Sequence, residues 1–151
     1  MHYIILVAIW VVVSVSQIII ARTPIVETLL VNFLVINVGI SALFAFMGHA
    51  FSSKKIAEYI GWPSGNPFQL EVAVTNLSFG ILGILCIWFR DNFWIATTIG
   101  FSVFAFGAAY IHIRDRIKNN NRAPGNAGLP LYSDILKPIV LIVLLIAYLL
   151  T

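Results

Sequence analysis

The chain alternates between long apolar runs and short polar connections. Five runs, at about residues 3–21, 25–50, 68–89, 93–113 and 134–150, approach the roughly 20 residues that a helix needs to cross a bilayer. A shorter amphipathic stretch, IAEYIGW, follows the second run and ends at Gly61 and a Trp62-Pro63 break. The pattern predicts an all-α, polytopic transmembrane helix bundle with five membrane-spanning helices and a short interfacial helix.

The polar connections contain residues that start helices. Thr23 and Pro24 predict the N-cap and first turn of the second span. Asn66, Pro67 and Gln69 predict a capping box at the start of the third span. Because most connections are short, we expect a single transmembrane domain over residues 1–151. The exception is the polar connection at residues 114–134, whose turn-rich segment 124–132 predicts an ordered cover over the helix ends.

Composition narrows the class of protein. Apolar residues make up 60% of the chain and charged residues 10%, and the mean hydropathy is +0.97. Soluble proteins carry about 25% charged residues, so these values indicate an integral membrane protein whose main partner is the lipid bilayer. A chain embedded in lipid has little surface on which to form a basic patch. Nucleic acid is therefore excluded as a partner.

Basic residues predict the orientation. Alternating the connections between two sides places Arg22 and Arg90 on one side, and the other side receives Lys54, Lys55, Arg114, Arg116, Lys118, Arg122 and Lys137. Basic residues in short connections favour the cytoplasm. We therefore expect a cytoplasmic N-terminus and an external C-terminus.

The third span has polar residues on two faces. One face carries Gln69, Asn76, Gly80 and Gly83, and roughly the opposite face carries Glu71, Thr75 and Ser78. A lipid-facing carboxylate or amide is costly, so this pattern predicts the central helix of the bundle. Close helix packing with an interhelical hydrogen bond would explain Asn76 and the glycines without a ligand. An interfacial salt bridge would explain Glu71.

The fourth span has a stripe of small and polar residues. At helical spacing it runs through Thr98, Ser102, Ala105, Ala109, His112 and Arg116. Such a face either packs tightly against the third span or lines a cavity.

Two imidazoles and several carboxylates share one predicted depth near the cytoplasmic helix ends. The candidate ligand-binding residues are His49, Glu71, Asn76, His112, Arg116 and Asp134. A divalent metal such as zinc, manganese or iron could take His49, Glu71, His112 and Asp134 as ligands. The same groups, with Asp115, could form a proton relay. Haem is not favoured, because His49 and His112 would have to face each other across a wide gap.

The long connection offers a second binding chemistry. Anionic lipid headgroups could bind its basic residues Arg114, Arg116, Lys118 and Arg122. The same residues could equally serve only to fix the topology.

Four segments carry a resemblance to a known family. They are GHAF at 48–51, IGWPSGNPFQLEVA at 60–73, the spaced N-L-x-x-G-x-x-G at 76–83 and APGNAGLPLYSD at 123–134. Together they resemble a family of small uncharacterised polytopic membrane proteins of bacteria and archaea, a domain of unknown function. The resemblance implies a prokaryotic inner-membrane protein and no activity. The membrane-associated glutathione and eicosanoid transferases are similar only in length and helical build, and their helix count differs.

Three functional hypotheses follow. The preferred one is a membrane-embedded ligand- or metal-binding protein, or a membrane-complex subunit, with a polar site facing the cytoplasm. The second is a small membrane enzyme acting on a lipidic or thiol substrate, with Glu71 or His112 as general base. The third is a channel or transporter, which requires a homo-oligomer because the outer half of the third to fifth spans lacks acids and bases for a path through one chain.

Overall fold

The structure is a computed structural model that describes residues 2–151. Its helices, in chain order, are α1 (His2–Ile20), α2 (Ile25–Asn32), a π-helical segment (Phe33–Ile40), α3 (Ser41–Phe51), α4 (Ser53–Ile60), α5 (Phe68–Leu85), α6 (Asn92–Lys118), α7 (Pro124–Ala127) and α8 (Leu129–Leu149). The helices α2, π and α3 form one continuous span, Ile25–Phe51. Five helices are long and apolar enough to cross a membrane, which confirms the predicted five-span helical bundle. The short helix predicted after the second span is α4.

The second span lies at the centre of the bundle. Among the most apolar 18 residues of Ile25–Phe51 half are buried inside the protein, against 22% in α5. The prediction that the third span is central is therefore wrong. Its polar side chains explain why, since Thr75, Asn76 and Ser78 each donate to the backbone carbonyl four residues earlier, over 2.8, 2.9 and 3.0 Å. Hydroxyls and amides paired within their own helix do not need protein around them.

Helix α5 approaches the central span very closely at one point. A Cβ added to Gly83 would lie 2.5 Å from Gly39 Cα, and one added to Gly80 would lie 2.6 Å from Leu43 Cδ2. Small residues allow this backbone approach between membrane helices. The two glycines of α5 therefore serve helix packing, whereas Asn76 makes no interhelical hydrogen bond.

The stripe on α6 packs mainly against α8 rather than α5. Its members Thr98, Ser102, Ala105, Ala109 and His112 are buried, and Arg116 is exposed. The hydroxyls of Thr98 and Ser102 have no hydrogen-bond partner within residues 2–151. Helices α6 and α8 thus pack against each other, whereas α5 packs mainly against the central span and touches α6 where the Phe79 ring meets Phe101 and Phe104.

The helix starts agree only partly with the predicted caps. Asn66 Oδ1 accepts a hydrogen bond from the Phe68 N–H over 2.9 Å, as a capping side chain does. Gln69 does not complete a capping box, because its amide donates to the Ser53 carbonyl over 2.6 Å. Thr23 does not cap α2 either, since its hydroxyl accepts from Thr28 Oγ1 over 2.8 Å.

The end of the bundle that holds the α5–α6 connection is closed by paired polar groups. Arg90 forms an ion pair with Glu27 and lies 5.7 Å from the centroid of the Trp94 ring. The Tyr148 hydroxyl donates to Asp91 Oδ1 over 2.9 Å. The candidate residues of the sequence lie toward the opposite end.

Candidate functional site

Trp62 is positioned by the end of helix α4. Gly61 adopts a left-handed conformation with φ +80°, which glycine tolerates without steric cost. The Trp62 N–H then donates to the Ala57 carbonyl over 2.9 Å, the bond that closes a Schellman motif. The indole stacks on the His112 ring, with centroids 5.3 Å apart and planes inclined by 15°. Its Nε1–H donates to Asp115 Oδ2 over 2.8 Å.

His112 is held by an amide from the loop that follows α6. The residue is only 8% exposed, and its Nδ1 lies 2.8 Å from Asn126 Oδ1. The Asn126 Nδ2 donates to the backbone carbonyls of His112, over 3.3 Å, and Asn121, over 3.0 Å. Because Asn126 Nδ2 donates to these carbonyls, Asn126 Oδ1 faces the imidazole. An amide oxygen only accepts hydrogen bonds, so His112 Nδ1 carries the proton. Nε2 lies 4.0 Å from Asp134 Oδ2.

Asp115 ties the surrounding segments together. Its carboxylate accepts from Trp62, from Asn119 over 2.6 Å and from Asn121 over 2.6 Å. Asn121 Nδ2 also donates to the Ile60 carbonyl over 2.9 Å, which links the loop to α4. We call Trp62, His112, Asp115, Asn121 and Asn126 the His112 cluster. It is a packed network that orders the loop over the helix ends.

His49 lies in a different setting. It is partly buried on α3, and its Nδ1 is buried with no hydrogen-bond partner among the described residues. It lines a cavity of about 260 Å³ between α3, α4 and α5. We call this the His49 cavity; its other lining residues are Ala57, Ile60, Trp62, Pro63, Asn66, Phe68, Gln69 and Val72.

A second, more open cavity lies on the α6 side of Trp62. It has a volume of about 250 Å³ and includes two basic side chains of α6, Arg114 and Lys118. We call it the basic notch; it is lined by Trp62, Ile111, Arg114, Asp115, Lys118 and Asn119. Trp62 is the one lining residue that the two cavities share.

Comparison with known proteins identifies a family. Residues 1–149 match the DUF6790 family, described as a family of unknown function. The chain belongs to this family. No curated protein and no solved structure matches it. Membership in DUF6790 agrees with the resemblance to a family of unknown function, and it implies neither an activity nor a source organism.

The six candidate residues have four different settings in this DUF6790 protein. His49 lines a cavity, whereas His112 Nε2 lies 4.0 Å from Asp134 Oδ2. Glu71 and Arg116 are exposed, with no ion pair to another described residue. Asn76 is bonded to the Val72 carbonyl. Neither Glu71, Asn76 nor Arg116 lines either cavity.

The proposed metal ligands do not form a cluster. Within the part of the chain that the structure describes, no three His, Cys, Asp or Glu side chains lie close enough to hold a metal ion. The structure brings together His112 and Asp134 but adds neither His49 nor Glu71 to them. A shared depth on four helices does not fix the direction in which each side chain points.

Lys137 is the residue that sequence reasoning misplaced. It contributed to the orientation as a surface charge, yet it is only 8% exposed. Its Nζ donates to Ser41 Oγ over 2.5 Å and lies 5.0 Å from the centroid of the Tyr3 ring. No described carboxylate lies within 4.0 Å of it. Its position inside an apolar run could have indicated this burial, because ionisable residues within membrane spans face the bundle interior.

Asn37 is a second polar group in the bundle interior. It lies in the π-helical segment, one turn before Ser41, and it is fully buried. Neither atom of its amide has a hydrogen-bond partner among residues 2–151. Short π-helical turns within α-helices are frequent at functional sites.

Proposed function

We propose that this chain is a membrane-embedded binding protein whose ligand occupies the His49 cavity. One observation carries the proposal: a mainly apolar cavity is bordered by an imidazole whose Nδ1 is buried with no hydrogen-bond partner among the described residues. An apolar pocket with a few polar groups is the usual form of a small-molecule site. An unpaired buried polar atom costs about 1–3 kcal/mol, and a ligand in the cavity would offset this cost by donating a hydrogen bond to Nδ1 after a rotation of the His49 ring.

The His112 cluster has a positioning role in this proposal. Trp62 borders the cavity, and its orientation depends on the His112 ring and the Asp115 carboxylate. Asp134 adjoins this network through His112, whose Nε2 lies 4.0 Å from Asp134 Oδ2. His49 is thus the proposed ligand contact, and His112 and Asp134 act through Trp62.

The proposed location is a prokaryotic cytoplasmic membrane with the N-terminus and both cavities on the cytoplasmic side. Lys137 no longer counts toward the orientation because it is buried. Six basic residues remain on the cavity side, against Arg22 and Arg90 on the other. This excess still supports the proposed orientation.

The test uses a neutral amphiphile, 11-bromoundecanol, whose bromine quenches neighbouring tryptophans and whose hydroxyl can donate to His49. Purified protein in micelles is titrated at a constant detergent mole fraction. We expect saturable quenching that Trp62→Phe abolishes and that the cavity-filling Val72→Phe weakens at least fivefold.

The matched control is Val74→Phe. Val74 lies two residues away on α5, is 52% exposed and does not line the cavity. It should leave the quenching unchanged. Quenching that never saturates, or that Val72→Phe and Val74→Phe affect equally, would contradict the proposal.

A further inference from the structure

We infer that the His49 cavity and the basic notch are two halves of one site for an amphiphile with an anionic, phosphate-type head. The apolar chain of the ligand occupies the His49 cavity, a hydroxyl of the ligand donates to His49, and the anionic head lies on Arg114 and Lys118. The inference rests on the proposed function and adds the ligand class to it. Its basis is the shared lining residue Trp62, which borders both an apolar and a basic cavity.

Arg114 and Lys118 are suited to the head. They are four residues apart, so they lie on the same face of α6. Neither forms an ion pair with a described carboxylate, although Asp115 lines the same notch. The Asp115 oxygens already accept three hydrogen bonds from Trp62, Asn119 and Asn121. Both cations are therefore available to an anion, and the guanidinium can bind phosphate through two parallel hydrogen bonds.

Trp62 is suited to separate the two halves. Its indole is fixed by the stack on His112 and by the hydrogen bond to Asp115, so little side-chain entropy is lost when a ligand binds. An indole also has an apolar body and a polar N–H, which suits the boundary between a chain and a head. A ligand bound on both sides of Trp62 would meet apolar and cationic surface in the order that an amphiphile presents them.

A phosphate-type head could belong to a bilayer lipid or to a soluble phosphate ester. The apolar lining of the His49 cavity, which includes Ile60, Phe68 and Val72, favours the lipid. A soluble ester would leave that lining unused.

The experiment places the full chain in nanodiscs that contain a small fraction of dibrominated phosphatidylglycerol or dibrominated phosphatidylcholine. The signal of Trp62 is the difference between wild type and Trp62→Phe. We expect phosphatidylglycerol to be preferred over phosphatidylcholine in the quenching by at least about fivefold. This is the size of preference that one or two cations near a membrane surface provide. The double variant R114Q/K118Q should abolish this preference.

The control R116Q/R122Q removes the same charge from residues outside the notch and should keep the preference. Equal quenching by the two lipids, or equal loss in the two double variants, would overturn the inference. Displacement of the brominated lipid by millimolar glycerol phosphate would overturn the lipid assignment in favour of a soluble ester. Binding of 11-bromoundecanol, measured in wild type and in both double variants, separates these failures from a failure of the proposed function.

Discussion

Two histidines near the same end of the bundle have opposite surroundings. His112 is stacked on Trp62 and bonded to Asn126, whereas His49 borders a cavity and its Nδ1 has no hydrogen-bond partner among the described residues. Both have the residue type and the depth expected of a functional group. A histidine with satisfied hydrogen bonds therefore maintains the fold, and an unsatisfied one is the better candidate for contact with a ligand.

The cause of the difference lies in the neighbouring segments. The loop after α6 returns over the helix end and supplies Asn121 and Asn126 to the His112 cluster. It does so because Gly125 fits against Tyr59, where a Cβ would lie only 2.6 Å from the ring. The loop between α4 and α5 contributes Trp62, Pro63 and Asn66 to the lining of the His49 cavity, but no described residue forms a hydrogen bond with His49 Nδ1.

The largest expected effect comes from separating the walls of the His49 cavity. Gly83→Ala would place a methyl group 2.5 Å from Gly39 Cα, so α5 must move away from the central span. We expect a loss of about 3 kcal/mol in the free energy of unfolding, measured by SDS titration in mixed micelles. Gly107→Ala is the control, because a Cβ there meets nothing within 4 Å. Equal stabilities of the two variants would refute the close-packing interpretation.

The next effect comes from breaking the His112 cluster. Asn126→Ala removes the partner of His112 Nδ1 and two bonds to backbone carbonyls, leaving a buried donor unpaired. We expect a loss of about 2 kcal/mol in the same titration. Asn119→Ala, which removes one exposed bond to Asp115, should cost less than about 0.5 kcal/mol. If the two substitutions cost the same, the cluster does not order the loop.

The five spans could be predicted because membrane helices must satisfy their own backbone and bury apolar side chains in lipid. The packing could not be predicted equally well. Helix α5 looked central because Thr75, Asn76 and Ser78 are polar, but bonds to their own helix leave them paired at its partly exposed surface. A sequence does not reveal whether a polar side chain bonds within its helix or across to another.

The candidate site was predictable in its residue types and general position. Hydropathy placed His49, His112 and Asp134 near one end, and the structure brings His112 to Asp134. The rotation of each helix separates His49 from them, and rotation depends on tertiary contacts such as the approach of Gly39 to Gly83. The importance of Trp62 was missed for the same reason, because its partners His112 and Asp115 are about 50 residues away along the chain.

Lys137 is a third polar residue near these histidines' end of the bundle. It is buried, and its ammonium donates to the Ser41 hydroxyl. Its ammonium has a hydroxyl and an aromatic ring as neighbours but no described carboxylate within 4.0 Å. Burying a charge that is not paired with an opposite charge costs free energy, so we expect Lys137→Met, whose apolar side chain has a similar volume, to add about 1 kcal/mol to the free energy of unfolding.

Lys54→Met, at an exposed position on α4, is the control and should change nothing measurable. Lys137→Ala should be less stable than Lys137→Met by about 2 kcal/mol, because it leaves a cavity. A Lys137→Met protein that is less stable than wild type would assign the ammonium a structural role.

The smallest expected effect on stability is that of His49. His49→Ala removes no hydrogen bond to a described residue, so the free energy of unfolding should change by less than about 0.5 kcal/mol. His112→Ala should cost about 2 kcal/mol, because it leaves the Asn126 amide oxygen buried and unpaired. Binding of 11-bromoundecanol should respond most directly at His49, where the affinity should fall at least fivefold because the imidazole acceptor is lost. A His49→Ala protein that unfolds as easily as His112→Ala would contradict the assignment of His112 to stability and of His49 to ligand binding.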